Sequence, residues 1–257
     1  MLLAADAGNT SVTFGGLVRR ENGWTPAFSV RIATARFRAG EDCSGELRAL
    51  LAKAAPGAFF EDGVLVSVVP EAETAVAACV KALTGKAPLS VTWKNCGLAV
   101  EVDFPDQVGR DRFADAAAAA ALFSPPVVTV DMGTATTFNV ITEGPVFQGG
   151  VITPGAALGL RALHADTSQL PPVELFTPRA VIGKNTEDCM RSGAVAGAAA
   201  LADGIAAQIE RELGRAVTLV VTGGFARWAE PLILRPHVYD PDLLLKGLGV
   251  IYEKNRR

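Results

Sequence analysis

The chain has 257 residues, with 24 Lys+Arg against 27 Asp+Glu, a formal charge of −3, 49% apolar residues and 20% charged ones. That balance excludes a disordered chain, and a sequence pI of about 5.5 excludes a nucleic-acid binder working through a basic surface. The length predicts one large domain or two smaller ones, each with its own core.

The opening Met-Leu-Leu-Ala-Ala-Asp meets an acid at position 6 with no basic residue before it, so it does not read as a secretory leader. Leu2 to Ala5 is a short apolar run stopped by Asp6-Ala7-Gly8-Asn9-Thr10. Ser11 to Val18 then resumes with β-branched and aromatic residues, which predicts a β-hairpin. After an Asn22-Gly23 turn, Trp24 to Ile32 reads as a further strand. Glu41 to Ala54 has leucines at helical spacing, Val64 to Val69 is a buried strand, and Glu71 to Thr84 is helical again. This alternation predicts an α/β protein.

Two prolines, Pro125 and Pro126, end an Ala-rich helix over Phe113 to Leu122 and predict a boundary, with domains at 1–123 and 124–257. Val127 to Val130 is then stopped by Asp131-Met132-Gly133-Thr134-Ala135, and Thr136 to Thr142 returns. This repeats the N-terminal unit 125 residues later, so two related domains, each opening with a hairpin, are expected. Farther on, Val220-Val221-Thr222 runs into Gly223-Gly224, and Glu187 to Leu213 is a long Ala/Gly-rich helix. The apolar tracts 114–123 and 194–202 are too short to span a bilayer. Cys43, Cys79, Cys96 and Cys189 lie far apart, with no Cys-x-x-Cys and two histidines, which argues against a zinc site or disulfide framework. A cytoplasmic protein with neither nucleic acid nor membrane as partner is expected.

A tight turn after a buried strand presents backbone N–H groups, and glycine lets a phosphate approach them closely. An aspartate at the strand end can hold Mg²⁺, which makes Asp6 a magnesium candidate. Gly223 and Gly224 offer bare backbone to a base or ribose. Both Asp-x-Gly turns also fit ordinary hairpins, where Asp, Gly and Asn serve turn geometry alone. Two phosphate turns facing each other across an interdomain cleft would grip a nucleoside triphosphate.

The paired turns resemble the phosphate motifs of the acetate/sugar kinase, Hsp70 and actin superfamily. More narrowly, Gly109-Arg110-Asp111-Arg112, Gly149 to Gly155, Leu170-Pro171-Pro172-Val173-Glu174-Leu175, Ile182-Gly183-Lys184-Asn185-Thr186 and Asp240 to Leu248 resemble type III pantothenate kinase, in family order. The resemblance implies two ribonuclease-H-like domains with a nucleotide cleft between them, the actin-like ATPase fold. It also implies a homodimer and ATP-dependent phosphorylation of pantothenate to 4′-phosphopantothenate, the first step toward coenzyme A. It places Asp6, Ala7, Gly8, Asn9, Thr10, Ser11, Val12 and Thr13 around the ATP phosphates and gives Thr134 a further ATP contact. Asp131 would bind a monovalent cation, potassium or ammonium. Gly109, Arg110, Asp111 and Arg112 would line the pantothenate site, with Asp111 as general base, and Thr186 would reach pantothenate across the dimer.

The residues themselves leave alternatives. Asp111 fits a general base for a weakly nucleophilic hydroxyl or an N-cap. Arg112 fits a carboxylate-binding fork or a solvated side chain, and Thr186 fits a ligand contact or an N-cap. Arg31, Arg36 and Arg38 read as a solvated basic face. Three positions depart from the family pattern: Arg110 replaces a small Ala, Val102 replaces a Tyr, and Asn139 follows Phe138 where the family has Asp. A catalytically altered regulatory or ligand-binding relative, or a kinase for another small hydroxy acid, is the alternative reading.

Overall fold

The computed structural model describes residues 1–256. The chain divides into two units, one of Met1–Leu122, Gly144–Phe147 and residues 242–256, the other of Phe123–Glu143 and Gln148–Pro241.

In the first unit, β1 (Leu2–Ala7), β2 (Ser11–Arg20), β3 (Gly23–Ala33), β4 (Asp62–Ser67) and β5 (Leu89–Ser90) form a sheet in the order β3-β2-β1-β4-β5. Strand period two sends Leu3, Ala5 and Ala7 to one face, where they meet Val12, Phe14 and Ile32. Helices α1 (Thr34–Arg38), α2 (Ser44–Ala54) and α3 (Pro70–Thr84) contribute Phe37, Leu47, Leu51, Val76 and Val80 to that core. Pro70 opens α3, because its fixed φ and missing N–H suit a first helical position, while the strand expected to reach Val69 ends at Ser67.

On this unit lie also α4 (Arg110–Leu122) and α8 (Leu243–Asn255). Alanines 114 and 116–119 of α4 are fully buried. Opposite them, a Cβ on Gly247 would collide with the backbone carbonyl of Ala114, so the two helices touch backbone to backbone. This close packing explains why residues 242–256, assigned by sequence to the second half, belong to the first unit. The short β6 (Ala99–Val100) pairs with Val146 and Phe147, which also group there.

The second unit repeats the topology. Its strands β7 (Val127–Met132), β8 (Ala135–Thr142), β9 (Val146–Pro154), β10 (Thr218–Thr222) and β11 (Val238–Tyr239) run in the order β11-β10-β7-β8-β9. Read from the hairpin side, β9-β8-β7-β10-β11 matches β3-β2-β1-β4-β5. In both, β1 or β7 has an antiparallel neighbour on one side and a parallel one on the other. This is the ribonuclease-H-like order, present twice. Helix α5 (Ala156–Ala165), the 28-residue α6 (Thr186–Leu213) and the short α7 (Ala226–Ala229) complete the unit. Among the described residues α6 is the one helix long and apolar enough to cross a membrane, longer than the alanine tract alone predicts. Val195, Ala199, Ala202, Ala206 and Ile209 place one of its faces in the unit's core.

Candidate active site

Register identifies Asp6 and Asp131 as equivalent positions. Asp6 pairs with Thr13 across the hairpin and with Val66 on the parallel side; Asp131 pairs with Thr137 and Thr222. The turns beyond them differ by one residue. The Gly8 amide donates to the Ser11 carbonyl at 3.1 Å, whereas the Gly133 amide donates to the Ala135 carbonyl at 3.0 Å. In the first turn Asn9 and Thr10 are exposed at the tip, and Asp6, Ser11 and Thr13 are half-buried on the sheet face away from the core. Ala7 and Val12 are core residues, so they can offer a ligand only backbone.

Asp111 is the second residue of α4, not its cap, and its Oδ1 accepts the Arg112 amide at 2.8 Å. Burial pushes its carboxyl above the usual aspartate range, opposed by the amide and guanidinium of Arg112. Arg112 is not a solvated side chain. It is buried, with its guanidinium 5.5 Å from the Phe147 ring centre, and burial lowers its pKa against the opposing pull of Asp111 and Asp115. The Arg110 Nη1 donates to Glu73 Oε1 on α3 at 2.9 Å. Val102 is half-buried in the loop after Glu101, whose amide donates to the Phe147 carbonyl at 2.9 Å.

Gly109, just before the helix that bears Asp111, reaches the first turn by way of Val68. A Cβ on Gly109 would lie 3.7 Å from Val68 Cγ1, and the Val68 amide donates to the Ala7 carbonyl at 3.1 Å. Unit 1 therefore brings two of the motifs, 6–13 and 109–112, to neighbouring strand ends.

Unit 2 brings together two others. Gly223, at φ +98°, has no room for a Cβ, which would collide with Asp131 Oδ1 and lie 2.6 Å from the Met132 carbonyl oxygen. The Phe225 amide donates to that same carbonyl at 3.0 Å. Gly224 is exposed beside it, and Thr134 is exposed at the tip of the turn. Gly155 closes the turn from below, its amide donating to the Thr134 carbonyl at 3.1 Å. Thr186 opens α6 but does not cap it. The cap is Asn185, whose Oδ1 accepts the Asp188 amide at 2.8 Å, leaving Thr186 exposed at the first helical position.

A groove of 890 Å³ between α5 and α6, lined by Thr136, Gly155, Leu160, Leu163, Met190 and Gly197, has no counterpart in the sequence reading, because it arises where two helices pass each other.

A family profile of type III pantothenate kinases matches residues 2–208. A type III pantothenate kinase of Rhodospirillum centenum is 38% identical, covering 99% of each chain, and one of Hyphomonas neptunium is 34% identical over the full length of both. The chain belongs to the type III pantothenate kinase family. Members of that family phosphorylate pantothenate in coenzyme A biosynthesis, with ATP as the kinase substrate. Solved structures agree in fold. A Campylobacter jejuni protein assigned to the Baf family of transcriptional activators superposes with a TM-score of 0.61 at 18% identity, covering 99% of this chain and 98% of its own. A Sinorhizobium meliloti protein assigned as a 2-dehydro-3-deoxygalactonokinase gives 0.54 at 13% identity, covering 98% and 96%. These likenesses place the chain in the actin-like ATPase and sugar kinase fold.

Proposed function

We propose that this chain transfers the terminal phosphoryl group of ATP to the primary hydroxyl of pantothenate, with Asp111 as general base. The observation that carries the assignment is the Asp111 environment. A carboxylate raised by burial sits in the first turn of α4, just after Gly109, which packs against the residue that extends β4. Such a group holds a proton more tightly than a solvated aspartate, and its carboxylate can take the hydroxyl proton as the bond to phosphorus forms. The transition state is loose and anionic, so alignment and charge neutralisation supply the rest.

The turn 6–13 is read as the phosphate turn, its backbone and Thr10, Ser11 and Thr13 hydroxyls offering donors. Thr134 contributes a further ATP contact, and Gly223 and Gly224 offer backbone to the nucleoside. Gly109, Arg112 and Thr186 are read as the pantothenate contacts. Arg110, whose Nη1 donates to Glu73, is read as holding the start of α4 to α3 rather than binding the substrate carboxylate.

Two ions fit the donor sets. Mg²⁺ bound to a triphosphate commonly takes one or two protein carboxylates, and Asp6 supplies one at the strand end. A monovalent cation, potassium or ammonium, takes hard oxygen donors; Asp131 Oδ1 and the Met132 carbonyl both lie where a Cβ on Gly223 would stand. When bound, these ions neutralise phosphate charge where the turn itself has no lysine. The open glycines 193, 197 and 204 of α6, flanked by exposed Val181 and Ile182, support a homodimer through this face. The reading places this activity in the cytoplasm. A coupled assay of ADP release with pantothenate and potassium chloride tests the assignment; release equal with and without pantothenate contradicts it.

A further inference from the structure

We infer that the segment from Arg31 to Arg38 is the second wall of the phosphate turn, Thr34 fixing the turn's backbone and Arg38 supplying a cation to the nucleotide's polyphosphate. The inference rests on the reading of residues 6–13 as an ATP-phosphate turn.

Thr34 is fully buried where β3 passes into α1. Its hydroxyl donates to the Gly8 carbonyl at 2.6 Å and its amide to the Thr10 carbonyl at 3.1 Å. Carbonyl oxygens repel a phosphate and amides attract it. Two turn carbonyls committed to one buried residue are therefore two that cannot face the anion, and the turn is set before ligand arrives.

Residues 6–13 contain no Lys or Arg, yet a triphosphate needs positive charge. The two arginines of α1 differ in what they hold. Arg36 is neutralised by Glu41, at 2.7 Å, and by Glu46. Arg38 is exposed and donates from Nη2 to Asn9 Oδ1, at the tip of the turn, at 3.2 Å. A neutral amide oxygen is a weaker guanidinium acceptor than a phosphate oxygen, so the bond is one a polyphosphate displaces without breaking an ion pair. Arg31 stands in register with Thr13, and Thr13 with Asp6, which puts all three in one row across the same sheet face. Arg31 adds positive charge to the side of the turn that carries Asp6.

The test is calorimetry of the full chain with a non-hydrolysable ATP analogue in magnesium buffer, joined to steady-state kinetics. Arg38→Ala is expected to weaken analogue binding about tenfold, the loss of one charge-assisted hydrogen bond, and to raise the KM for ATP while kcat and the KM for pantothenate change less than twofold. Arg38→Lys should recover part of the loss. Thr34→Val should weaken the analogue likewise and Thr34→Ser restore it; if the valine variant does not fold, the Arg38 pair decides alone. Wild-type-like affinity in Arg38→Ala overturns the role of Arg38, and equal affinities for the valine and serine variants overturn that of Thr34. A wild-type chain that binds no analogue removes the phosphate reading of the turn itself and this inference with it.

Discussion

Gly109 lies against Val68, whose amide extends the pairing of β4 onto Ala7 at 3.1 Å. That contact joins the segment before Asp111, the proposed general base, to the strand end beside residues 6–13, the proposed phosphate turn. A Cβ at position 109 would approach Asp111 Oδ1 to 2.7 Å. Gly109→Ala is therefore expected to turn the carboxylate away from its place and lower kcat about a hundredfold, the scale at which a misplacement of about 1 Å is felt. The melting temperature should change little, which separates displacement of the base from unfolding.

Asp111→Asn gives a stability test with the opposite sign. Burial holds the folded carboxyl above its unfolded pKa, so its contribution to stability is present below the unfolded value and lost as pH rises through the folded one. At neutral pH the unfolded chain holds this acid ionised, so its burial costs stability, and the amide, which can still accept from the Arg112 N–H, removes that cost. Thermal melts should show the variant more stable than wild type at neutral pH and the gap closing as pH falls into the carboxylate range. A variant less stable at neutral pH would contradict the burial argument.

Gly223 serves the second turn by its missing side chain. Gly223→Ala would force a Cβ into Asp131 Oδ1 and hold alanine at a φ of +98°. The left-handed backbone alone costs about 1–2 kcal/mol. The expected result is a lower melting temperature together with a higher potassium concentration for half-maximal activity, read by titrating potassium chloride.

Arg110 replaces the small residue of the family pattern, and its partner is Glu73 at 2.9 Å with both side chains partly exposed. A pair so exposed contributes about 0.2–1 kcal/mol. Arg110→Ala should leave the KM for pantothenate within about twofold and the melting temperature nearly unchanged. Should that KM rise tenfold or more, Arg110 binds the substrate carboxylate after all.

Much of the fold is legible because its signals are local. The Asp-x-Gly turns stand out through residues that turn geometry demands, and the repeat shows as the same pattern 125 residues apart, which the shared strand order explains. What escapes is long-range. Arg112 reads equally as a carboxylate fork or a solvated side chain until Phe147, 35 positions later, packs over it. Arg38 reads as part of a solvated face until α1 brings it to Asn9. The membership of α8 in the first unit depends on Gly247 meeting Ala114, a contact between small residues with no mark in composition. Thr34 falls between the strand read to Ile32 and the helix read from Glu41, and its two bonds to the turn appear only in space.

The most direct test of the central claim is the ratio of turnover numbers for wild type and Asp111→Asn, measured as 4′-phosphopantothenate formed from saturating pantothenate and ATP in magnesium and potassium. The account predicts a fall of about 10²–10⁴, the usual worth of a positioned general base, with pantothenate binding retained. An undiminished rate in the variant would contradict it.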